Sequence, residues 1–183
     1  MIRELILIRH AHSEWQAGIT QHKNSHLTSI GIKQASELSK TLAQYADISN
    51  FHILSSPLHR SVETARIALP IHLFAEVIFD HQFQEATFHV RSQLILPKKF
   101  YPDVRKKNSE KYLLFKENIK SSLGQILSNY DRIMIFTHSG VIKTVLRIHC
   151  GSDAFCTEID NCSITHFIHK NNIWLVQRVN YVF

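Results

Sequence analysis

Short apolar runs that stop abruptly at polar or charged residues, each leading toward a stretch with helical spacing, constrain this chain more than any other feature. Leu5-Ile6-Leu7-Ile8 breaks off at Arg9-His10, the run ending at Leu54 breaks off at Ser55-Ser56, and Ile133-Met134-Ile135-Phe136 breaks off at Thr137-His138. An apolar run without polar alternation marks a strand covered on both faces, the habit of parallel sheets held between helices. The intervening segments fit. Thr28 can cap a helix with Ile32, Ala35, Leu38 and Leu42 on one side. Ser56 followed by Pro57 predicts an N-cap with proline at the first helical position, and the helix runs to about Leu69 before Pro70. A long helix is predicted over about 109–128, and another from His138 that closes near Gly151. Glu76–Phe79 reads as a weaker strand. Ser163–Ile168 and Ile173–Phe183, separated by Lys170-Asn171-Asn172, predict an antiparallel hairpin. The expected fold is therefore an α/β three-layer sandwich. Its mostly parallel central sheet is flanked by helices and extended by the C-terminal hairpin. Residues 1–183 are expected to form a single domain, with a lid-like insertion around 80–108.

Composition narrows the function. A net charge of +6 favours anionic partners of any kind. The most basic stretch, Arg91–Lys107, is interrupted by apolar residues and prolines, as in a solvated loop, and no nucleic-acid-binding module accompanies it. Four consecutive apolar residues before Arg9 are too few for a signal-peptide core or a membrane span, so a cytoplasmic protein without membrane attachment is expected. Cys150, Cys156 and Cys162 are odd in number and lack C-x-x-C spacing, and are read as reduced, buried small hydrophobes. His12, His22 and His26 match no zinc-ligand spacing with His10 and are read as surface residues, so no metal is expected. Nothing in the sequence reports an oligomeric state.

In open α/β sheets, ligands bind beyond the carboxyl ends of the strands. Arg9 and His10 follow the first strand, Arg60 lies in the helix after the second, Glu85 follows the third, and His138 follows the fourth. Two arginines, two histidines, a carboxylate and a helix N-terminus are the parts needed to move a phosphoryl group. Arginine forks hold the phosphoryl oxygens. A neutral imidazole at His10 can attack phosphorus and form a phosphohistidine. Glu85, with a raised pKa, can protonate the leaving alkoxide and then activate water, although Glu76 and Asp80 lie close enough in sequence to compete for that role. His138, cationic beside bound phosphate, can stabilise the transition state. Arg60 has a blander reading as a solvated partner of Glu63. Phe88, Phe100 and Tyr101 either line the substrate entrance or cover the core.

Five segments, in order, carry a resemblance to a known family. Leu7–Trp15 resembles the R-H-G loop of histidine phosphatases, Leu27–Ala35 their L-T-x-x-G-x-x-Q-A, and Ser55–Ala65 their S-S-P-x-x-R-x-x-x-T-A. Thr137–Ile142 and Asn161–Ile164 match later signatures. The chain is thereby identified as a member of the histidine phosphatase (phosphoglycerate mutase-like) superfamily. The resemblance implies a phosphohistidine at His10, a phosphate pocket from Arg9, Arg60 and His138, an acid at Glu85, and neither metal nor other cofactor. Ala11 stands where the family has glycine, and His12 where glutamate is usual. Gln16 occupies the place of an asparagine that often touches phosphate, and Ser139 that of a frequent glycine. Both are expected to join the phosphate contacts.

The resulting expectation is a metal-independent phosphomonoesterase acting on a small phosphorylated metabolite or on a phosphoprotein. Three alternatives share the pocket. They are a phosphohistidine protein phosphatase, a phosphoglycerate mutase, and a non-catalytic module that binds a phosphorylated ligand. Mutases of the family usually carry longer insertions that keep water from the intermediate, which favours the phosphatase for a chain of 183 residues.

Overall fold

The computed structural model describes residues 3–45, 47–88, 90, 108–153, 155 and 157–182. The strands are β1 (Arg3–Arg9), β2 (His52–Ser55), β3 (Ile78–Phe79), β4 (Arg132–Thr137), β5 (Ile164–Lys170) and β6 (Ile173–Tyr181). The helices are α1 (Ser29–Leu42), α2 (His59–Ala68), α3 (Ile71–Phe74), α4 (Glu110–Asn129) and α5 (Ser139–Cys150). One six-stranded sheet has the order β3-β2-β4-β1-β5-β6. β3, β2, β4 and β1 run parallel, while β5 is antiparallel to both β1 and β6. The mostly parallel sheet with its C-terminal hairpin is as expected.

The apolar runs are explained by the two cores. In β1, Ile6 and Ile8 join Leu38 and Leu42 of α1 and Ala65 and Ala68 of α2 on one face. Leu5 and Leu7 join Ile119 and Leu123 of α4 and Val145 and Leu146 of α5 on the other. Successive strand side chains point to opposite faces, so both parities must be apolar when both faces are covered. Each of these fully buried Leu or Ile side chains contributes about 1.5–3 kcal/mol. The sheet thus forms the middle layer of three.

The starts of α1 and α4 and the end of α5 follow local chemistry. The Thr28 hydroxyl accepts from the Gly31 N–H at 3.1 Å, and Ser109 accepts from the Tyr112 N–H at 3.2 Å. Gly151 ends α5 in the left-handed conformation at φ 64°, which suits a residue without Cβ. The predicted Ser56-Pro57 start of α2 is not realised, because α2 begins at His59. The Ser56 hydroxyl instead faces His138 at 2.8 Å and accepts from the Leu58 N–H at 3.3 Å. The third strand is shorter than expected. The N–H groups of Glu76 and Val77 close the turn after α3 by donating to Leu73 and Phe74 carbonyls. Cys162 is buried as expected, but Cys150, the last residue of α5, is exposed. Cys156, the basic stretch 91–107, and Phe100 and Tyr101 within it lie outside the described residues.

Candidate active site

Register decides where the site forms. Arg9 pairs with Thr137 across β1 and β4, so the next residue of each strand, His10 and His138, emerges at the same sheet edge. Their ring centroids are 5.0 Å apart. Ser55 pairs with Phe136 across β2 and β4, which brings Ser56 beside His138 and starts α2 close enough for Arg60 to reach inward. Both imidazoles are buried, with exposures of 4% for His10 and 0% for His138.

The hydrogen bonds of His10 specify one tautomer. Its Nδ1–H donates to the carbonyl of Ala11 at 2.7 Å, and its Nε2 accepts from Arg60 Nε–H at 3.1 Å. The lone pair is therefore on Nε2, directed toward a guanidinium. Burial, then the charges of Arg60 and Arg9, push the His10 pKa well below its ordinary value, so the ring is neutral and nucleophilic. His138 is pushed down in the same way by burial and then by His10, Arg60 and Arg9. In the pocket as described it is neutral, and the cationic form expected beside phosphate requires the anion's own charge to reverse that balance.

Two guanidinium groups sit around these rings. Arg60, 6% exposed, holds its fork by donating from Nη1 to the Lys23 carbonyl at 2.7 Å. Arg9 donates from Nη1 to the Ile159 carbonyl. Burial lowers both pKa values, but arginine stays charged in proteins. Arg9 Nε and His138 Nδ1 are buried without a hydrogen-bond partner among the described residues. Unpaired buried polar atoms are costly, and each of these can donate to an acceptor oxygen brought within reach.

Glu85 meets this cluster from the segment after β3. One carboxylate oxygen accepts from the Gly140 N–H at 3.4 Å and the other from its neighbour Ala86 at 3.1 Å. A Cβ built on Gly140 would lie 2.2 Å from Glu85 Oε1, so the carboxylate approaches the first turn of α5 through a gap that only glycine leaves. Burial raises the Glu85 pKa, against the opposing pull of the two N–H groups and of Arg60 and Arg9. Of the two competing candidates, Asp80 accepts from the Gln82 N–H and caps that turn, and Glu76 is exposed. The cavity that Arg60 and Glu85 line has a volume of about 520 Å³, within the usual range for small-molecule sites. Ser139, Lys143, Trp15, Leu58 and Phe88 line it with them. Phe88 also packs edge-on against Phe115, with ring centroids 5.7 Å apart, so it serves both readings given to it.

Gln16 and Asn161 form an amide pair with both N–O distances at 3.2 Å, and Asn161 also donates to the His10 carbonyl at 2.8 Å. Gln16 thereby braces the loop carrying His10. Glu63 is no partner of Arg60. It accepts from His26 Nδ1 at 2.5 Å and from the Leu27 N–H at 2.8 Å. His22 and His26 are exposed and His12 is half-buried against Thr28, and among the described residues no group of three potential metal ligands forms. Sequence reasoning missed Ser56 and Ser61, which contact His138 Nε2, and Thr64, which accepts from the Ala11 N–H at 2.9 Å and donates to the Arg60 carbonyl at 2.6 Å. All three stand inside the serine- and threonine-bearing string around Arg60, where buried hydroxyls were the available signal.

Known proteins share this arrangement of elements. The profile of the histidine phosphatase superfamily (branch 1) matches residues 5–182. No curated protein matches the chain. Among solved structures, a phosphoserine phosphatase from Entamoeba histolytica in complex with 3-phosphoglyceric acid is 24% identical, with a TM-score of 0.69 over 98% of this chain and 97% of that one. A phosphoglycerate mutase from Bacillus anthracis is 16% identical at a TM-score of 0.73, covering 98% and 93%. The alpha-ribazole phosphatase from Shigella flexneri is 21% identical at 0.71, covering 97% and 96%. At these identities the likeness establishes a common fold. Among the described residues no helix is long and apolar enough to cross a membrane. With its profile matched over nearly the whole length, the chain belongs to the histidine phosphatase superfamily, branch 1.

Proposed function

We propose that this protein is a metal-independent phosphomonoesterase that hydrolyses a small phosphorylated substrate through a phosphohistidine on His10. The observation that carries the reading is the state of that ring, with Nδ1–H anchored on the Ala11 carbonyl and the Nε2 lone pair turned toward Arg60. A phosphoryl group arriving at Arg9 and Arg60 draws the guanidinium donors onto its oxygens and frees Nε2 for in-line attack. As the N–P bond forms, the bond to the ester oxygen breaks, and the Glu85 carboxyl proton passes to the departing alkoxide. The Ala11 carbonyl then steadies the positive charge on the phosphorylated ring.

The second half reverses these roles. Water attacks phosphorus, its proton goes to the Glu85 carboxylate, and the P–N electrons return to Nε2 as inorganic phosphate leaves. His138 gains a proton under the phosphate's charge and donates to a phosphoryl oxygen, while Ser56 and Ser61 hold its ring. Ser139 lines the cavity at the N-terminal turn of α5 and adds polar contact. Small phosphorylated ligands named for the Entamoeba structures, 3-phosphoglyceric acid and phosphoserine, support the scale of substrate. Length no longer separates hydrolase from mutase, since the chain covers 93% of the Bacillus mutase, so the acceptor must be identified by product analysis.

The test is trapping. Turnover of a 32P-labelled phosphoester quenched in alkaline denaturant should leave alkali-stable, acid-labile label on His10 and none in His10→Ala. Steady release of phosphate without protein-bound label would refute the intermediate. Transfer to a second hydroxyl acid in place of water would replace the hydrolase by a mutase.

A further inference from the structure

His138 carries one ring proton in its neutral form, and the hydroxyls around it decide which nitrogen holds that proton. Its Nε2 lies 2.8 Å from Ser56 Oγ and 3.4 Å from Ser61 Oγ, whereas Nδ1 has no hydrogen-bond partner among the described residues. The ring and both serines are buried. Ser56 is fixed by its backbone, whose N–H donates to the Phe136 carbonyl of β4 at 2.9 Å, and its Oγ already accepts from the Leu58 N–H at 3.3 Å. There are two assignments. With the proton on Nδ1, the Nε2 lone pair accepts the Ser56 O–H, Ser61 turns its own O–H the same way, and a single donor, Nδ1–H, is left over. With the proton on Nε2, Ser56 Oγ takes two N–H groups, neither serine proton has an acceptor among the described residues, and the Nδ1 lone pair is bare as well. Buried polar groups without partners are costly, so the first arrangement, with one such group against three, prevails.

Resting on the phosphomonoesterase reading, we infer that Ser56 is a positioning residue that fixes His138 as its Nδ1–H tautomer, so that Nδ1 is the nitrogen that donates to a phosphoryl oxygen. That donor is present before any proton is taken up. When the anion's charge adds a second proton, it enters at Nε2, and the Ser56 hydroxyl turns to accept from it. A hydroxyl both donates and accepts, so it serves the neutral and the cationic ring from one place. Ser56→Ala supplies neither contact and releases the ring toward the Nε2–H form that free histidine favours.

The experiment reads the ring itself. Nitrogen-15 spectra of the labelled full chain separate a protonated ring nitrogen from one with a bare lone pair, and the His138 signals are identified by their loss in His138→Gln. The parent should show Nδ1 protonated and Nε2 bare, in an excess of at least about tenfold over the reverse. Ser56→Thr should preserve this pattern, and Ser56→Ala should draw the two resonances toward each other as the second tautomer enters. Inorganic phosphate added to the parent should shift the Nδ1 resonance. With p-nitrophenyl phosphate, Ser56→Ala should lose about tenfold to a hundredfold in kcat/KM, and Ser56→Thr should recover most of it. A parent with its proton on Nε2 overturns the assignment without recourse to any Ser56 variant. An Nδ1 resonance indifferent to phosphate, a Ser56→Ala spectrum identical with the parent's, or an undiminished rate in Ser56→Ala overturns it too. The Nδ1–H form in a parent that responds to phosphate but releases none from esters keeps the assignment and overturns the hydrolase.

Discussion

Gly140→Ala isolates the acid from the rest of the machinery. A methyl group at this position would stand 2.2 Å from Glu85 Oε1 and 3.3 Å from Glu85 Cδ. An ordinary non-bonded contact is roughly 3.5 Å, so the carboxyl group must retreat by about 1 Å. The fold can accept this, because the obstructed atom ends a flexible side chain, and helix propensity favours alanine by ~1 kcal/mol at most. The chemistry cannot. A 1 Å misplacement of a reacting group costs about 100-fold, and general acids contribute about 100- to 10,000-fold where the leaving group needs a proton. Gly140→Ala should therefore lower kcat/KM on alkyl phosphates such as glycerol 3-phosphate by about 100-fold. With p-nitrophenyl phosphate, whose phenolate leaves with little help, the loss should stay under about threefold. Steady-state kinetics on the two esters, with circular dichroism melting to confirm an unchanged fold, decide the matter. Equal losses on both substrates would refute Glu85 as the acid and the reason given for the glycine.

Further expectations come from other contacts. Gly31→Ala meets a backbone atom, the His12 carbonyl oxygen at 2.1 Å, so the start of α1 must shift. It should destabilise the protein by about 1–3 kcal/mol in urea unfolding, with no dependence of activity on leaving group, and an unchanged midpoint would contradict it. Arg60→Lys removes at once the donor to His10 and the fork held by the Lys23 carbonyl. Its kcat/KM on p-nitrophenyl phosphate should drop about 100- to 1,000-fold, and a loss below about tenfold would remove Arg60 from phosphate binding. Acid should destabilise the fold. Burial depresses the pKa values of His10, His52, His138, His149 and His166, so below the unfolded value of 6.5 the unfolded chain binds more protons than the native one. Stability from these groups is present above that pH and is lost progressively beneath it, opposed among the described residues by the raised groups His26 and Glu85. The urea midpoint should be lower at pH 5.5 than at pH 7.5, and an equal midpoint would contradict the burial argument.

Much of this could be read from the chain before folding, because strand ends and helix starts are local events. Arg9 was legible at the end of a buried strand, and His10 and His138 as residues that follow one, and the β1–β4 register then brings the two rings together. Thr28 capped its helix as read. The Ser56-Pro57 signal misled because its hydroxyl serves His138, a partner far away in sequence, and a long-range bond overrides a local cap. Gln16 was legible as a loop residue near the nucleophile, but its pairing with Asn161 depends on where the turn before β5 passes. Glu85 follows no regular strand end, so only its neighbour Gly140, a helix residue with no room for a Cβ, fixes which carboxylate enters the pocket.

The bond from Arg60 to His10 also protects the resting protein. An imidazole with a bare lone pair is a target for acylating and alkylating electrophiles, whereas here that electron pair accepts from the Arg60 Nε–H at 3.1 Å. On the proposed reading, an anionic phosphoryl group would unlock the ring by drawing the arginine aside, and an uncharged electrophile would have nothing with which to do so. The contact that would align the nucleophile would thus also keep it from being spoiled while idle.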